Sequence, residues 1–230
     1  SKSSKTKGLV YIKDIKVDGA NVVKSDYILK KINLKRGDIY DRNTIQQDLK
    51  TIYGMGFFTD KMKAIPIENA DGSISLRIVV EENTPVTDFT LDGNSSISAS
   101  EILPFLTPLK GEPQNIADIN NAITKIQEYY ASKGYILARV DSISDDPDGT
   151  INVHINEGII SKIMISGNEK TKDYIVARNI LTQAGDVYNE NRIKEDLVRL
   201  YATQAFKDVR RDIEPSPDDL DKYDVTIQVE

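Results

Sequence analysis

His154 is the only histidine in the chain, and there is no cysteine. A Ser–His–Asp triad or a histidine-ligated zinc would have to use His154, together with partners that the chain does not offer. His154 alternates with Val153 and Ile155, which puts it on the outer face of a strand as a solvated side chain. Without cysteine there is no thiolate nucleophile, no disulfide and no cysteinyl metal site. Asp145, Asp146 and Asp148, and then Asp218, Asp219 and Asp221, are the acidic runs that calcium chemistry would use. Neither run has the twelve-residue spacing of an EF-hand, and both fall where a hairpin turn is expected, a place that favours Asp. Gly54 and Gly56 form a GxG in YGMGFF, but it follows a helical pattern rather than a strand, so it reads as a turn and not a phosphate loop. The chain is therefore read as having no catalytic residues, no cofactor and no metal site.

Composition narrows the function classes further. Hydrophobic residues make up 39% and charged residues 29%, an ordinary globular balance. A net charge of −6 argues against general nucleic-acid binding. No apolar run approaches the length of a membrane-spanning helix. The opening SKSSKTKG has no apolar signal segment, so Ser1–Gly8 reads as a flexible basic leader of a processed or trimmed chain.

The elements that would position any site repeat. Gly19, Gly93 and Gly167 lie 74 residues apart, as do Gly37, Gly111 and Gly185. A fixed period of this length marks a repeat architecture. Ile15, Phe89 and Ile163 align, as do Ile28, Ile102 and Val176. The segment GDIYDRNTIQQDL from Gly37 matches GDVYNENRIKEDL from Gly185. The middle copy departs with GEPQNIADINNAITKI, read as about three extra residues before its helix resumes. Three modules follow, over 9–82, 83–157 and 158–230. The middle one, with 4 basic and 11 acidic residues, reads as an acidic solvated surface, with the docking of a basic partner as the alternative.

Each module opens with an alternating strand closed by a glycine of the first ladder, which suits a tight turn. In the first copy Ile15 and Val17 share a face and Ile12 stands apart. A short helix carries Ile28 and Ile32, Ile102 and Leu106, or Val176 and Ile180, with Ser25, Ser100 and Lys172-Asp173 near its start as capping candidates. The second glycine ladder turns the chain back after it. A longer helix shows the stripe Ile45, Leu49, Ile52, Tyr53, matched by Ala122, Ile126, Tyr129, Tyr130 and by Ile193, Leu197, Leu200, Tyr201. Phe58, Tyr135 and Phe206 follow it and fill the space between helices and sheet. A hairpin ends each module. Its first strand is read over Lys61–Ile67, Ile136–Ile143 and Asp208–Glu214, and its second closes on Glu82, Glu157 or Glu230. Counting reversals makes the last strand parallel to the first and antiparallel to the second, so it takes the centre. The fold class is α+β: three tandem β-α-α-β-β modules, each a three-stranded mixed sheet covered on one face by two helices. The links at Glu82–Pro85 and Glu157–Ile160 are very short, which limits hinging.

The second strand then lies on a sheet edge, where unpaired N–H and C=O groups can take up an extended peptide. The candidate peptide-binding residues are Lys61, Met62, Lys63, Ala64 and Ile65; Ala138, Arg139, Val140 and Asp141; and Val209, Arg210 and Arg211. The opposing reading is that charges such as Lys61, Lys63, Arg139, Arg210 and Arg211 blunt these edges.

The tandem modules, the strand-plus-glycine opening, EYYASKGYILARV and the pair GDIYDRNTIQQDLKTIYGMGFFTD and GDVYNENRIKEDLVRLYATQAFKDV together resemble POTRA domains. These are the repeats that precede the membrane barrel of BamA-type outer-membrane assembly proteins, and the middle copy is also similar to the cyanobacterial and chloroplast branch. The resemblance implies a periplasmic, chaperone-like scaffold held at the outer membrane by a C-terminal β-barrel that is absent from this sequence. Its implied partners are unfolded outer-membrane β-barrel proteins, assembly-machine accessory subunits or periplasmic chaperones, and not nucleic acid. It implies peptide capture at the second-strand edges, with no catalytic residues. Module three has Ala202 and Gln204 where module one has Gly54 and Gly56, so its helix end is expected to differ. Two alternatives stay open: the POTRA region of a related translocation pore, of two-partner secretion or TamA-like type, and an enzyme built of ferredoxin-like modules.

Overall fold

The computed structural model describes residues 8–230, so the leader expected over Ser1–Gly8 lies outside it except for Gly8. The first module runs β1 (Ile12–Asp18), α1 (Ser25–Lys31), α2 (Arg42–Gly54), β2 (Lys63–Glu68) and β3 (Ile74–Val79). The second runs β4 (Asp88–Asp92), α3 (Ala99–Ile102), two 3-10 turns, α4 (Ile116–Ser132), β5 (Arg139–Asp145) and β6 (Thr150–Asn156). The third runs β7 (Ile159–Ser166), α5 (Asp173–Ala177), α6 (Glu190–Ala202), β8 (Val209–Pro215) and β9 (Lys222–Val229). The sheet orders are β1-β3-β2, β4-β6-β5 and β7-β9-β8, with the last strand central each time. β3 and β9 are parallel to β1 and β7 and antiparallel to β2 and β8, as counting reversals requires. By contacts the chain forms two compact units: residues up to Asp88 with Pro108–Asn120 and Pro147–Thr150, and Phe89–Thr107 with Asn121–Asp146 and Ile151–Glu230.

In the first unit Ile28, Ile45 and Ile52 from the two helices pack on Leu76 and Ile78 of the central strand. Val176, Ile193 and Leu200 pack on Val225 and Ile227 in the second. Each fully buried aliphatic side chain of this kind contributes about 1.5–3 kcal/mol. Ile12 does not stand apart: the β1–β3 register shifts between Ile12 and Asp14, so one extra residue rotates Ile12 into the core. The same shift lies between Ile160 and Lys162.

The glycine that closes the first strand does more than permit a turn. A Cβ on Gly19, Gly93 or Gly167 would lie 1.9, 1.9 or 2.0 Å from the carbonyl oxygen of Val80, Ile155 or Val229. Backbone packs on backbone there, at the end of the central strand.

Several sequence expectations are corrected. The first helices have Lys24, Ser98 and Lys172 at their N-caps, and none makes a side-chain capping bond. The turn ahead of α1 is satisfied from a distance instead. Glu82 accepts from the backbone N–H of Asn21 (3.0 Å), Val22 (3.1 and 3.0 Å) and Val23 (2.7 Å). Glu157, itself buried, accepts from Ser96 N–H (3.1 and 2.9 Å), the Ser95 hydroxyl (2.7 Å) and the Tyr130 hydroxyl (2.8 Å). Burial and the Glu157 carboxylate push the Tyr130 phenol far above its ordinary value, so it stays a donor. Glu230 is not the third member of this set. It pairs with Asp208, one position earlier in register than Glu82 and Glu157.

The long helices also bury differently from the stripe. Tyr53 and Tyr201 are 55% and 62% exposed, whereas Asp48 and Asp196 are buried. Asp48 accepts from the N–H of Asn33 and Leu34, each at 2.9 Å. Asp196 accepts from Leu181 N–H (3.0 Å) and from Thr182 N–H and hydroxyl (3.3 and 2.6 Å). Each carboxylate ties the long helix to the loop after the short one. In the middle module the equivalent residue is Ala122, and Pro108, which has no N–H, replaces Leu34. The extra residues of this module do not precede its helix. They add a turn at the C-terminal end of α4, which has 17 residues against 13 in α2 and α6.

The N-caps of the long helices, Asp41, Asn115 and Asn189, form another 74-residue ladder. The Asn189 Oδ1 accepts from Asn191 and Arg192 N–H (3.0 and 3.3 Å), while its Nδ2 donates to the Lys133 carbonyl (3.0 Å) at the end of α4. Asn115 does the same with Ala117, Asp118 and the Met55 carbonyl at the end of α2 (2.9 Å). One amide thus caps one helix and closes the end of another. Gly56 and Gly134 have positive φ, and a Cβ on either would meet this asparagine at 2.6 Å. Asp41 has only acceptor oxygens and caps its own helix through Asn43 N–H (3.0 Å). Gln204, at φ 63, takes the position of these glycines in module three, which explains how that helix end differs.

Asn189→Ala is expected to cost about 1–2 kcal/mol in urea denaturation, through the lost cap. Gly134→Ala is expected to cost about 1 kcal/mol or more, through its positive φ and the displaced amide. Because both changes act on one contact, the double variant should be less destabilised than the sum of the two singles. Strict additivity would mean that the amide does not couple the two helix ends.

Candidate edge-strand binding site

The residues expected to capture peptides lie on three separate sheet edges and form no common cleft. Lys61 and Met62 precede β2, and Met62 packs against the core, so only Lys63, Ala64 and Ile65 are edge residues in module one. Ala138 precedes β5, whose strand begins at Arg139 rather than Ile136. Val209, Arg210 and Arg211 open β8.

The edges differ in how open they are. In an antiparallel pair alternate residues bond to the partner, and those between aim their N–H and C=O away. Asn69 N–H bonds the Ser73 carbonyl at 2.8 Å, so by alternation Ala64, Pro66 and Glu68 face the open side of β2. Pro66 has no N–H to offer, which interrupts that edge. On β5 the register shifts between Val140 and Ser142, so Asp141 bulges, and Val140 N–H donates to the Gln127 side chain of α4 at 3.0 Å. A bulge and a covering side chain are both ways of closing an edge. On β8 the Glu230 N–H donates to the Asp208 carbonyl at 3.0 Å, and pairing runs without a break from Val209↔Val229 to Pro215↔Tyr223. Val209, Arg211 and Ile213 therefore present N–H and C=O outward, and the only proline stands at the strand end.

Arg211 is anchored. Its Nη2 donates to Glu190 Oε1 at 2.7 Å, and the Tyr188 hydroxyl donates to the other oxygen. Burial works to raise the Glu190 carboxyl, and the bonds from Arg211 and Tyr188 outweigh it and hold it below its ordinary value. The arginine is thus paired with the first residue of α6.

The roles of Glu82, Glu157, Asp48, Asp196, Asn115 and Asn189 escaped the motif reading. The 74-residue ladders of Asp41, Asn115 and Asn189, and of Asp48 and Asp196, were signals that could have found four of them.

His154 lies on the outer face of β6, where its Nδ1 is 2.6 Å from Asp92 on β4 and its Nε2 is 3.6 Å from Asp141 on β5. The hydrogen bond to Asp92 raises its pKa above 6.5. Burial opposes this, and the charges of Asp141, Asp92 and Asp221 add to the rise. A histidine whose folded pKa is raised contributes stability that is fully present below the unfolded value and is lost as pH rises through the folded value. The single imidazole should titrate above 6.5 by NMR, and His154→Gln should remove this pH dependence from the melting temperature. A midpoint at or below 6.5 would contradict the assigned pairing.

Comparison with known proteins agrees with this architecture. The family model described as a surface antigen variable number repeat of POTRA type matches residues 10–83 and 159–230, and that of a ShlB-type POTRA domain matches residues 84–158. The N-terminal domain of Omp85 from the thermophilic cyanobacterium Thermosynechococcus elongatus aligns with a TM-score of 0.80 and 25% identity, over 96% of this chain and 97% of that one. Outer membrane protein assembly factor BamA of Nitratidesulfovibrio vulgaris is 26% identical over 68% of this chain and 20% of its own length. BamA of Neisseria meningitidis is 24% identical over 86% of this chain and 27% of its own length. The chain thus spans about a fifth to a quarter of the length of these relatives. With family models covering nearly all of it, in three consecutive matches over three mixed sheets of one topology, the chain belongs to the POTRA-domain family.

Proposed function

We propose that this chain is the periplasmic scaffold of an outer-membrane β-barrel assembly protein, with modules over 9–82, 83–157 and 158–230. It receives unfolded outer-membrane proteins, docks accessory subunits or periplasmic chaperones, and passes clients to a barrel that follows in the full protein. It works without catalysis. The assembly-factor names of its relatives support the setting. The observation that carries the mechanism is the uninterrupted edge of β8 beside the interrupted edges of β2 and β5. A client segment would add as a fourth strand beside Val209–Ile213, drawing affinity from main-chain bonds and so tolerating many sequences. Module three is the capture site on this reading, and β2 and β5 are not.

Chemical-shift mapping with an extended outer-membrane-protein peptide tests it. The expected shifts fall on Val209, Arg211 and Ile213. Arg211→Pro removes one outward donor and obstructs strand addition, and should weaken binding about tenfold or more, while Arg211→Ala keeps the backbone donor and should bind nearly as the parent does. Shifts spread over the helices with β8 silent would sink the proposal.

A further inference from the structure

We propose that the open cleft at the end of module three, lined by Gly167–Thr171, Ala205, Phe206, Val229 and Glu230, is a carboxylate-binding site whose ligand is the side chain of a glutamate at position 231 of a longer polypeptide. The register comes from backbone contacts. Gly19, Gly93 and Gly167 abut the carbonyls of Val80, Ile155 and Val229, so these three residues are equivalent. Two residues beyond Val80 and Ile155 stand Glu82 and Glu157. Two residues beyond Val229 is position 231. Glu230 belongs one step earlier: Lys207 N–H bonds its carbonyl at 2.6 Å, as Thr59 N–H bonds that of Glu81 at 2.8 Å.

The receiving groups repeat as well. Asn21, Val22 and Val23, whose N–H groups hold Glu82, stand two to four residues after Gly19. Ser96, three residues after Gly93, donates its N–H to both oxygens of Glu157. Glu169, Lys170 and Thr171 stand at those places after Gly167. The turn is built alike: the Asn168 amide donates to the Thr171 carbonyl at 2.8 Å, as the Asn94 amide does to the Ile97 carbonyl at 3.1 Å. Thr171 N–H makes a bond of 3.2 Å to the Asn168 carbonyl, and the N–H groups of Glu169 and Lys170 make none among the described residues. Successive backbone N–H groups in such a turn form a concavity for an anion. These amides precede α5 by two to four residues, so the site is the turn and not the helix end. Lys170 and Lys172 stand around it together with Glu169 and Asp173, so the amides and not a net positive charge are the receiving groups. The corresponding turn holds a carboxylate of the chain in each of the other two modules, through three amides in module one and through one amide and two hydroxyls in module two, which sets the ligand as a carboxylate and the chain itself as its source. The inference stands apart from peptide capture at β8, and either can fail without the other.

Three extended chains, carrying Glu-Ala-Ala, Gln-Ala-Ala or Ala-Ala-Ala after Glu230, provide the test. The glutamate tail is expected to move the amide resonances of Glu169 and Lys170, slow their hydrogen exchange on the order of tenfold or more, and raise the melting temperature. The glutamine and alanine tails should leave all three as in the 230-residue chain. A glutamate tail that behaves like the glutamine tail would overturn the proposal. So would free acetate moving these amides while the glutamate tail does not, since the site would then take its carboxylate from another molecule.

Discussion

The parallel pairing of the first and last strands is the contact on which each module depends. A hairpin forms between neighbours in sequence, but a parallel pair needs a long crossover. In module one Ile15 pairs with Leu76, and α1, α2 and β2 lie between them. Closing that pair completes the sheet face on which the helices pack, with Ile15 and Val17 beside Leu76 and Ile78. At its end Gly19 lies directly against the Val80 carbonyl, and Glu82 reaches back to the turn amides. A side chain on the glycine would part the strands, and an uncharged residue in place of the glutamate would leave the turn amides without a charged acceptor. The glycine and the glutamate thus act on one joint from its two ends.

A second joint links helix ends. Asn115 and Asn189 each cap the helix they open and donate to the last carbonyls of another. An asparagine serves because it carries an acceptor and a donor on one rigid amide. Aspartate at position 41 offers the cap alone. The asparagines and their facing glycines are a matched pair, which is why glycine gives way to Gln204 where no described asparagine faces it.

Repetition of the fold does not make the three surfaces equal. Pro66 removes a donor from the first edge, and the bulge at Asp141 with Gln127 covers part of the second. The third keeps its alternation, with Arg211 paired to Glu190. Such interruptions protect a sheet from unwanted pairing. The third edge is the one left uninterrupted.

Much of the fold was legible in the residues alone. Two glycine ladders of one period, alternation in the strands and four-residue spacing in the helices define three like modules, their strand directions and the central place of the last strand. These features are local and periodic, and periodicity survives in a linear text. The buried roles of Asp48 and Asp196, the reach of Glu82 and Glu157 to distant turns and the amide joints were decided by tertiary structure. A polar residue in a helix looks solvated until the partner that satisfies it is brought close by the fold. The sequence also could not rank the three edges, because an edge is open or closed by the register of one proline, one bulge and one neighbouring side chain. Register is a property of the paired strands, and it exists only once they have met.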